Sequence, residues 1–164
     1  MRGDIEYIIE AHENNAKKPS KAVRKWDGKT PYYIHPLWCA TTIASETTID
    51  ETTRNEGILA LLYHDVLEDT TKGLPEGMDN NIGHLIKEMT FEGGSEQEMR
   101  EIWNKPRQIR LYKLYDKVSN LLDSCWMDTE KRAKYIAYTK RLCEDVKENY
   151  GELNITKIAE AIWS

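Results

Sequence analysis

Apolar positions recur every three or four residues through most of the chain, the period of helices that bury one face. Ile5, Ile8, Ile9 and His12 share a stripe, and Asp4 suits an N-cap, so a first helix is predicted over about 4–16. Lys17-Lys18-Pro19-Ser20 breaks it, and residues 23–33, with Gly28 and Pro31, read as a loop. Tyr33-Ile34-His35-Pro36 opens a second helix with proline in its first turn, continued by Leu37, Ala40, Ile43 and Ala44. A third is predicted over about 53–68, and its run Gly57-Ile58-Leu59-Ala60-Leu61-Leu62-Tyr63 is apolar enough to be buried.

Gly73, Pro75 and Gly77 mark a loop, after which Asp79 caps a short helix carrying Ile82, Leu85, Ile86 and Met89. Gly93-Gly94 is a break, and Pro106 limits any helix that begins near Ser95. From Ile109 the spacing of Leu111, Leu114, Tyr115, Val118, Leu121 and Leu122 is strongly helical. Asp128 starts a long polar helix ending near Tyr150-Gly151, and Asn154 caps a last one with Ile155, Ile158 and Ile162. Nothing alternates with period two for long enough to require a sheet. The expectation is an all-α helical bundle forming one domain over 1–164, long enough for a substantial core.

Charge and cysteine content narrow the partners. A net charge of −5 excludes a nucleic-acid duplex as a general partner but allows an anionic small molecule at a locally positive site. Cys39, Cys125 and Cys143 are far apart and odd in number, which predicts reduced thiols and a cytoplasmic setting. No apolar stretch approaches the length of a bilayer span, and the N-terminus carries no signal-peptide core, so no membrane partner is expected. The pattern carries no signal for an oligomeric state.

The chemistry gathers at His64-Asp65-Val66-Leu67-Glu68-Asp69-Thr70, where the buried run ends. On a helix His64 shares a face with Glu68, and Asp65 with Asp69. Three carboxylates beside a buried element repel one another and lose hydration, so a cation must compensate, most simply a metal ion. His35, at a helix start before Pro36, and Asp116, a charge inside a core-like helix, complete a set of two imidazoles and two carboxylates with His64 and Asp65. Mixed nitrogen and oxygen ligation suits Mn²⁺, Fe²⁺, Co²⁺ or Zn²⁺. Taken alone, Asp116 would equally suit a surface ion pair with Lys113 or Lys117.

The order His35…His64-Asp65…Asp116 resembles the HD phosphohydrolase superfamily. More narrowly, Arg24-Lys25, Thr30-Pro31-Tyr32-Tyr33-Ile34-His35-Pro36, the segment around His64-Asp65 and Lys113-Leu114-Tyr115-Asp116-Lys117-Val118-Ser119-Asn120-Leu121 resemble RelA/SpoT-type hydrolase domains, especially small stand-alone alarmone hydrolases. The resemblance covers roughly residues 20–140. It implies an HD-domain bundle whose metal, Mn²⁺ in that family, is held by His35, His64, Asp65 and Asp116. It implies that Glu68 and Asp69 orient and activate the attacking water. It also implies a nucleotide site lined by Arg24, Lys25 and Asn120, with Lys131 and Tyr135 at the phosphate end and Arg132 competing with Lys131. The family's His…Gln element before Arg-Lys, and a lysine near residues 90–94, have no counterpart in the aligned run.

Three functions are compatible with these residues. The first is metal-dependent hydrolysis of a (p)ppGpp-like alarmone at its 3′-pyrophosphate. The second is an HD nucleotidase acting on ordinary dNTPs or dNMPs. The third is an inactive nucleotide-binding module, which predicts erosion of the metal or water-activating residues; all six are present. In each case the partner is a small-molecule nucleotide.

Overall fold

The structure is a computed structural model and describes residues 2–163. Its helices follow the hydrophobic pattern closely: α1 (Arg2–Asn14), α2 (Ile34–Ala44), α3 (Glu51–Tyr63), α4 (Val66–Asp69), α5 (Asn80–Met89), α6 (Gly94–Glu101), α7 (Arg107–Leu122), α8 (Thr129–Tyr150) and α9 (Asn154–Trp163). Short 3₁₀ turns occupy Pro19–Lys21, Ile102–Asn104 and Ser124–Trp126. There is no strand among the described residues, only isolated bridges pairing Ala16 with Thr70 and Val23 with Pro31.

Three boundaries differ from expectation. Asp4 lies inside the first turn of α1 rather than before it, and its carboxylate accepts the Tyr63 hydroxyl at 2.9 Å, tying α1 to the end of α3. The helix predicted over 53–68 starts earlier, with Asp50 accepting the Thr53 N–H, and divides at His64-Asp65 into α3 and α4. The Leu61 carbonyl, which an uninterrupted helix offers to the Asp65 N–H, accepts instead from His64 Nδ1 at 2.7 Å. Asp65 then turns at φ −92°, ψ −5°, the bridge region where many active-site residues sit. Finally, Asn154 does not cap α9. The buried Glu46 carboxylate, arriving from beyond α2, takes the N–H groups of Asn154 and Ile155, each at 3.0 Å. Those donors have no partner within their own helix, and a negative charge there also complements the helix dipole.

The caps at Asp79 and Asp128 form as predicted, and Gly151 closes α8 at φ 79°, a conformation open to glycine. α7 is the axis of the molecule, packed by α2, α3, α5, α8 and α9. It is buried nearly all round, and its buried set includes Lys113, Asp116 and Lys117 as well as Ile109, Leu111, Leu114 and Val118. Gly57 sets how closely α2 and α3 approach this axis. A Cβ there would lie 2.5 Å from Ile43 Cδ1 and 2.6 Å from Tyr112 Cε1, so only glycine fits.

Candidate active site

Three elements bring the predicted ligands together. The start of α2 supplies His35, the α3–α4 turn supplies His64 and Asp65, and the middle of α7 supplies Asp116. All four are buried. The two Nε2 atoms are 3.2 Å apart, and Asp116 Oδ1 lies 3.3 Å from that of His35 and 3.8 Å from that of His64. Asp65 Oδ2 flanks the pair at 3.4 and 3.1 Å and accepts the Tyr32 hydroxyl at 2.8 Å.

These donors fit a divalent cation. Ligands about 2.1 Å from a metal sit about 3.0 Å apart in an octahedron and about 3.4 Å in a tetrahedron, which brackets most of the observed separations. His64 Nδ1 faces a carbonyl, which only accepts, so this nitrogen carries a proton in either charge state, and Nε2 presents a lone pair once its own proton has left. His35 Nδ1 contacts Ser119 Oγ at 2.8 Å, leaving its Nε2 to face the same point. Such partners on the far ring nitrogen hold metal-binding imidazoles in place.

The electrostatics explain how so much charge is tolerated. Burial opposes ionisation of Asp116, but Lys117 and Lys113 outweigh it and hold the carboxyl well below its usual range. Their ammonium groups lie 3.0 and 3.1 Å from Oδ2, which leaves Oδ1 to the imidazoles and the Asn120 amide. Both lysines also pair with the buried Glu98, Lys117 at 2.8 Å and Lys113 at 3.1 Å. Burial likewise opposes the charged forms of Asp65 and His64. The His64 charge nevertheless holds Asp65 low, and Asp65 with Asp116 raises His64 to about 10. A proton is therefore held where a cation would go. Burial raises the Glu68 and Asp69 carboxyls and depresses His35.

Glu68 and Asp69 line a chamber of about 190 Å³ with Asp65, Asp116, Lys113, Lys117 and Asn120. Glu68 Oε1 accepts the Phe91 N–H at 2.9 Å, and Asp69 Oδ1 pairs with Lys21 at 2.6 Å. The expected nucleotide residues converge beside the chamber: Arg24, Lys25, Asn120, Lys131 and Tyr135 share the lining of a cleft of about 210 Å³. Arg132 instead donates to Ser124. Arg24 is fixed by Asp123 at 2.6 Å and donates to Asn120 Oδ1 at 3.0 Å, while Asn120 Nδ2 donates to Asp116 Oδ1 at 2.7 Å.

Sequence reasoning missed several contributors. Trp126 forms the cleft wall, with Lys25 Nζ 4.3 Å and Lys131 Nζ 4.8 Å from its ring. Trp26, beside Arg24-Lys25 in sequence, lines a separate apolar cleft with Trp38 and Leu122. Lys21, Tyr32 and Glu98 carried no spacing signal of their own. Lys113 and Lys117 pair with Asp116 as the surface reading had it, but in the interior.

A helical bundle with a buried histidine–aspartate cluster is the arrangement anticipated from the sequence. A solved structure of a metazoan ortholog of SpoT, described as hydrolysing ppGpp and acting in starvation responses, matches with a TM-score of 0.72 at 21% identity, covering 99% of this chain and 92% of that one. The chain shares the all-α fold of that structure. No protein-family model and no curated protein matches it.

Proposed function

We propose that this chain, as a single domain, is a metal-dependent hydrolase that cleaves the 3′-pyrophosphate of a (p)ppGpp-like alarmone in the cytoplasm. The observation that carries the reading is the convergence of His35, His64, Asp65 and Asp116 under Glu68 and Asp69, beside a cationic cleft with an aromatic wall. Similarity in fold to a ppGpp hydrolase supports the substrate class.

His35, His64 and Asp116 would hold the cation, with Asp65 flanking them; Mn²⁺ is the proposed ion. When bound, such an ion polarises a phosphoryl oxygen and acidifies water. Glu68 and Asp69 orient the water and accept its proton, burial having raised both carboxyls above their ordinary range and so made them stronger proton acceptors. The new bond joins the water oxygen to the phosphorus carried by the ribose 3′-oxygen. The bond to that 3′-oxygen breaks, leaving pyrophosphate and a nucleotide with a free 3′-hydroxyl. Lys25 and Lys131 offset phosphate charge, Trp126 offers a face for a base, and Arg24 with Asn120 holds the cleft against the metal ligands.

Metal-stripped protein reloaded with Mn²⁺ would be incubated separately with ppGpp and with a panel of dNTPs and dNMPs, and the products resolved by ion exchange. GDP and pyrophosphate are expected from ppGpp. Cleavage of an ordinary nucleotide with ppGpp untouched would replace this reading with the nucleotidase one.

A further inference from the structure

The chamber opens on two sides. Through Tyr32, Ser95 and Asn120 it joins the Trp126 cleft, and through Glu68, Asp69 and Phe91 it joins a second cleft of about 720 Å³, more than three times larger. The walls of this larger space carry Lys17, Lys18, Lys21 and Lys87 against Glu68, Asp69 and Glu92, in a chain whose net charge is −5. Two of the carboxylates already have partners, Asp69 in Lys21 and Glu68 in the Phe91 N–H.

The lysine wall is built in rather than draped over the surface. The Lys17 N–H donates to the Asp69 carbonyl and the Thr71 N–H to the Asn15 carbonyl, both at 2.8 Å, around the bridge between Ala16 and Thr70. Lys17 Nζ donates to the carbonyls of Leu67 and Glu68 at 2.8 and 2.9 Å. Residues 15–17 are thereby fastened to the helix that carries Glu68 and Asp69, which fixes where Lys18 stands. Lys87, on α5, lines the same cleft. Both Lys18 and Lys87 are exposed, and neither is ion-paired among the described residues.

We infer that this cleft is a second anion site that takes a linear oligophosphate, with one end at the chamber mouth by Lys21 and the chain extending between Lys18 and Lys87. A longer oligophosphate meets more of these ammonium groups than a single phosphate does. The site deepens the proposed function: it rests on the chamber being the hydrolytic centre and would receive the pyrophosphate part of the substrate or product.

The test is direct binding of inorganic phosphate, pyrophosphate and tripolyphosphate to the metal-loaded full chain by calorimetry at fixed ionic strength. Free metal is held constant, because oligophosphates chelate it. Affinity is expected to rise with each added phosphate, and Lys18→Gln/Lys87→Gln to weaken tripolyphosphate by about tenfold while changing orthophosphate little. Lys29→Gln/Lys157→Gln removes the same charge from exposed positions elsewhere and should leave the series intact. Equal affinity along the series, or equal losses in both double variants, would overturn the inference and confine anions to the chamber. The two readings fail separately. Chain-length-dependent binding without ppGpp hydrolysis overturns only the proposed reaction; hydrolysis without chain-length dependence overturns only the oligophosphate site.

Discussion

Glu98→Gln tests whether the metal site is held together by a buried ion network. Glu98 is 4% exposed, pairs with Lys117 at 2.8 Å and Lys113 at 3.1 Å, and accepts the Tyr138 hydroxyl at 2.8 Å. The substitution keeps shape and one acceptor oxygen but removes the charge. Two buried ammonium groups are then left to share Asp116. Breaking a buried pair by removing one partner costs about 3–5 kcal/mol, and the retained amide oxygen argues for the lower end, about 3 kcal/mol. For a chain of this size that lowers the melting temperature by about 6–12 °C. Lysines drawn further onto Asp116 should also compete with the metal and weaken its binding. The assay is thermal and urea unfolding of the metal-free protein by two probes, followed by metal titration. A loss below about 1 kcal/mol with unchanged metal affinity would refute the claim that Glu98 balances the interior charge.

Other outcomes follow from the same geometry. Asp116→Ala should lose metal and activity together, whereas Glu68→Ala should keep metal and slow turnover by about 10²–10⁴-fold; metal analysis beside rate assays separates the two. Because the metal-free site holds a proton on His64, whose pKa is raised to about 10, metal affinity should strengthen by about tenfold per pH unit from pH 7 to 9, read by titration at each pH. His12 is fully buried with neither ring nitrogen hydrogen-bonded, and burial depresses its pKa to about 4. The folded state therefore rejects a proton that the unfolded chain accepts near pH 6.5. The resulting stability is present above pH 6.5 and lost as pH falls through 4, about 3 kcal/mol in all. His12→Phe should flatten this part of the acid unfolding profile, and an unchanged profile would clear His12 of the effect. Gly57→Ala should cost about 1–3 kcal/mol by forcing Ile43 and Tyr112 aside, measured by urea unfolding.

Most of the bundle was legible because its helices bury one face and carry ordinary caps, as at Asp79, Asp128 and Gly151. The continuous helix over 53–68 was misread because hydrophobic spacing does not register a side chain that captures a backbone carbonyl, as His64 does with Leu61. Asn154 was misread for a related reason: the group that caps α9 is Glu46, more than a hundred residues away in the chain. At the site, the histidines and aspartates stood out as charge in apolar surroundings. Glu98, Lys21 and Trp126 did not, since each sits in a segment that looks like ordinary solvated surface. Only tertiary packing brings Glu98 and Lys21 to the chamber and Trp126 to the cleft beside it.

The hydrogen-bonded line from Arg24 through Asn120 to Asp116 joins the cleft proposed for the nucleotide to a proposed ligand of the cation. Under the proposed function, metal and nucleotide would therefore not be independent occupants. If filling the cleft steadies Asn120 and so tightens the cation, linkage requires that the cation tighten the nucleotide by the same factor. Measured apart, each ligand would then look weaker than it is with the other bound.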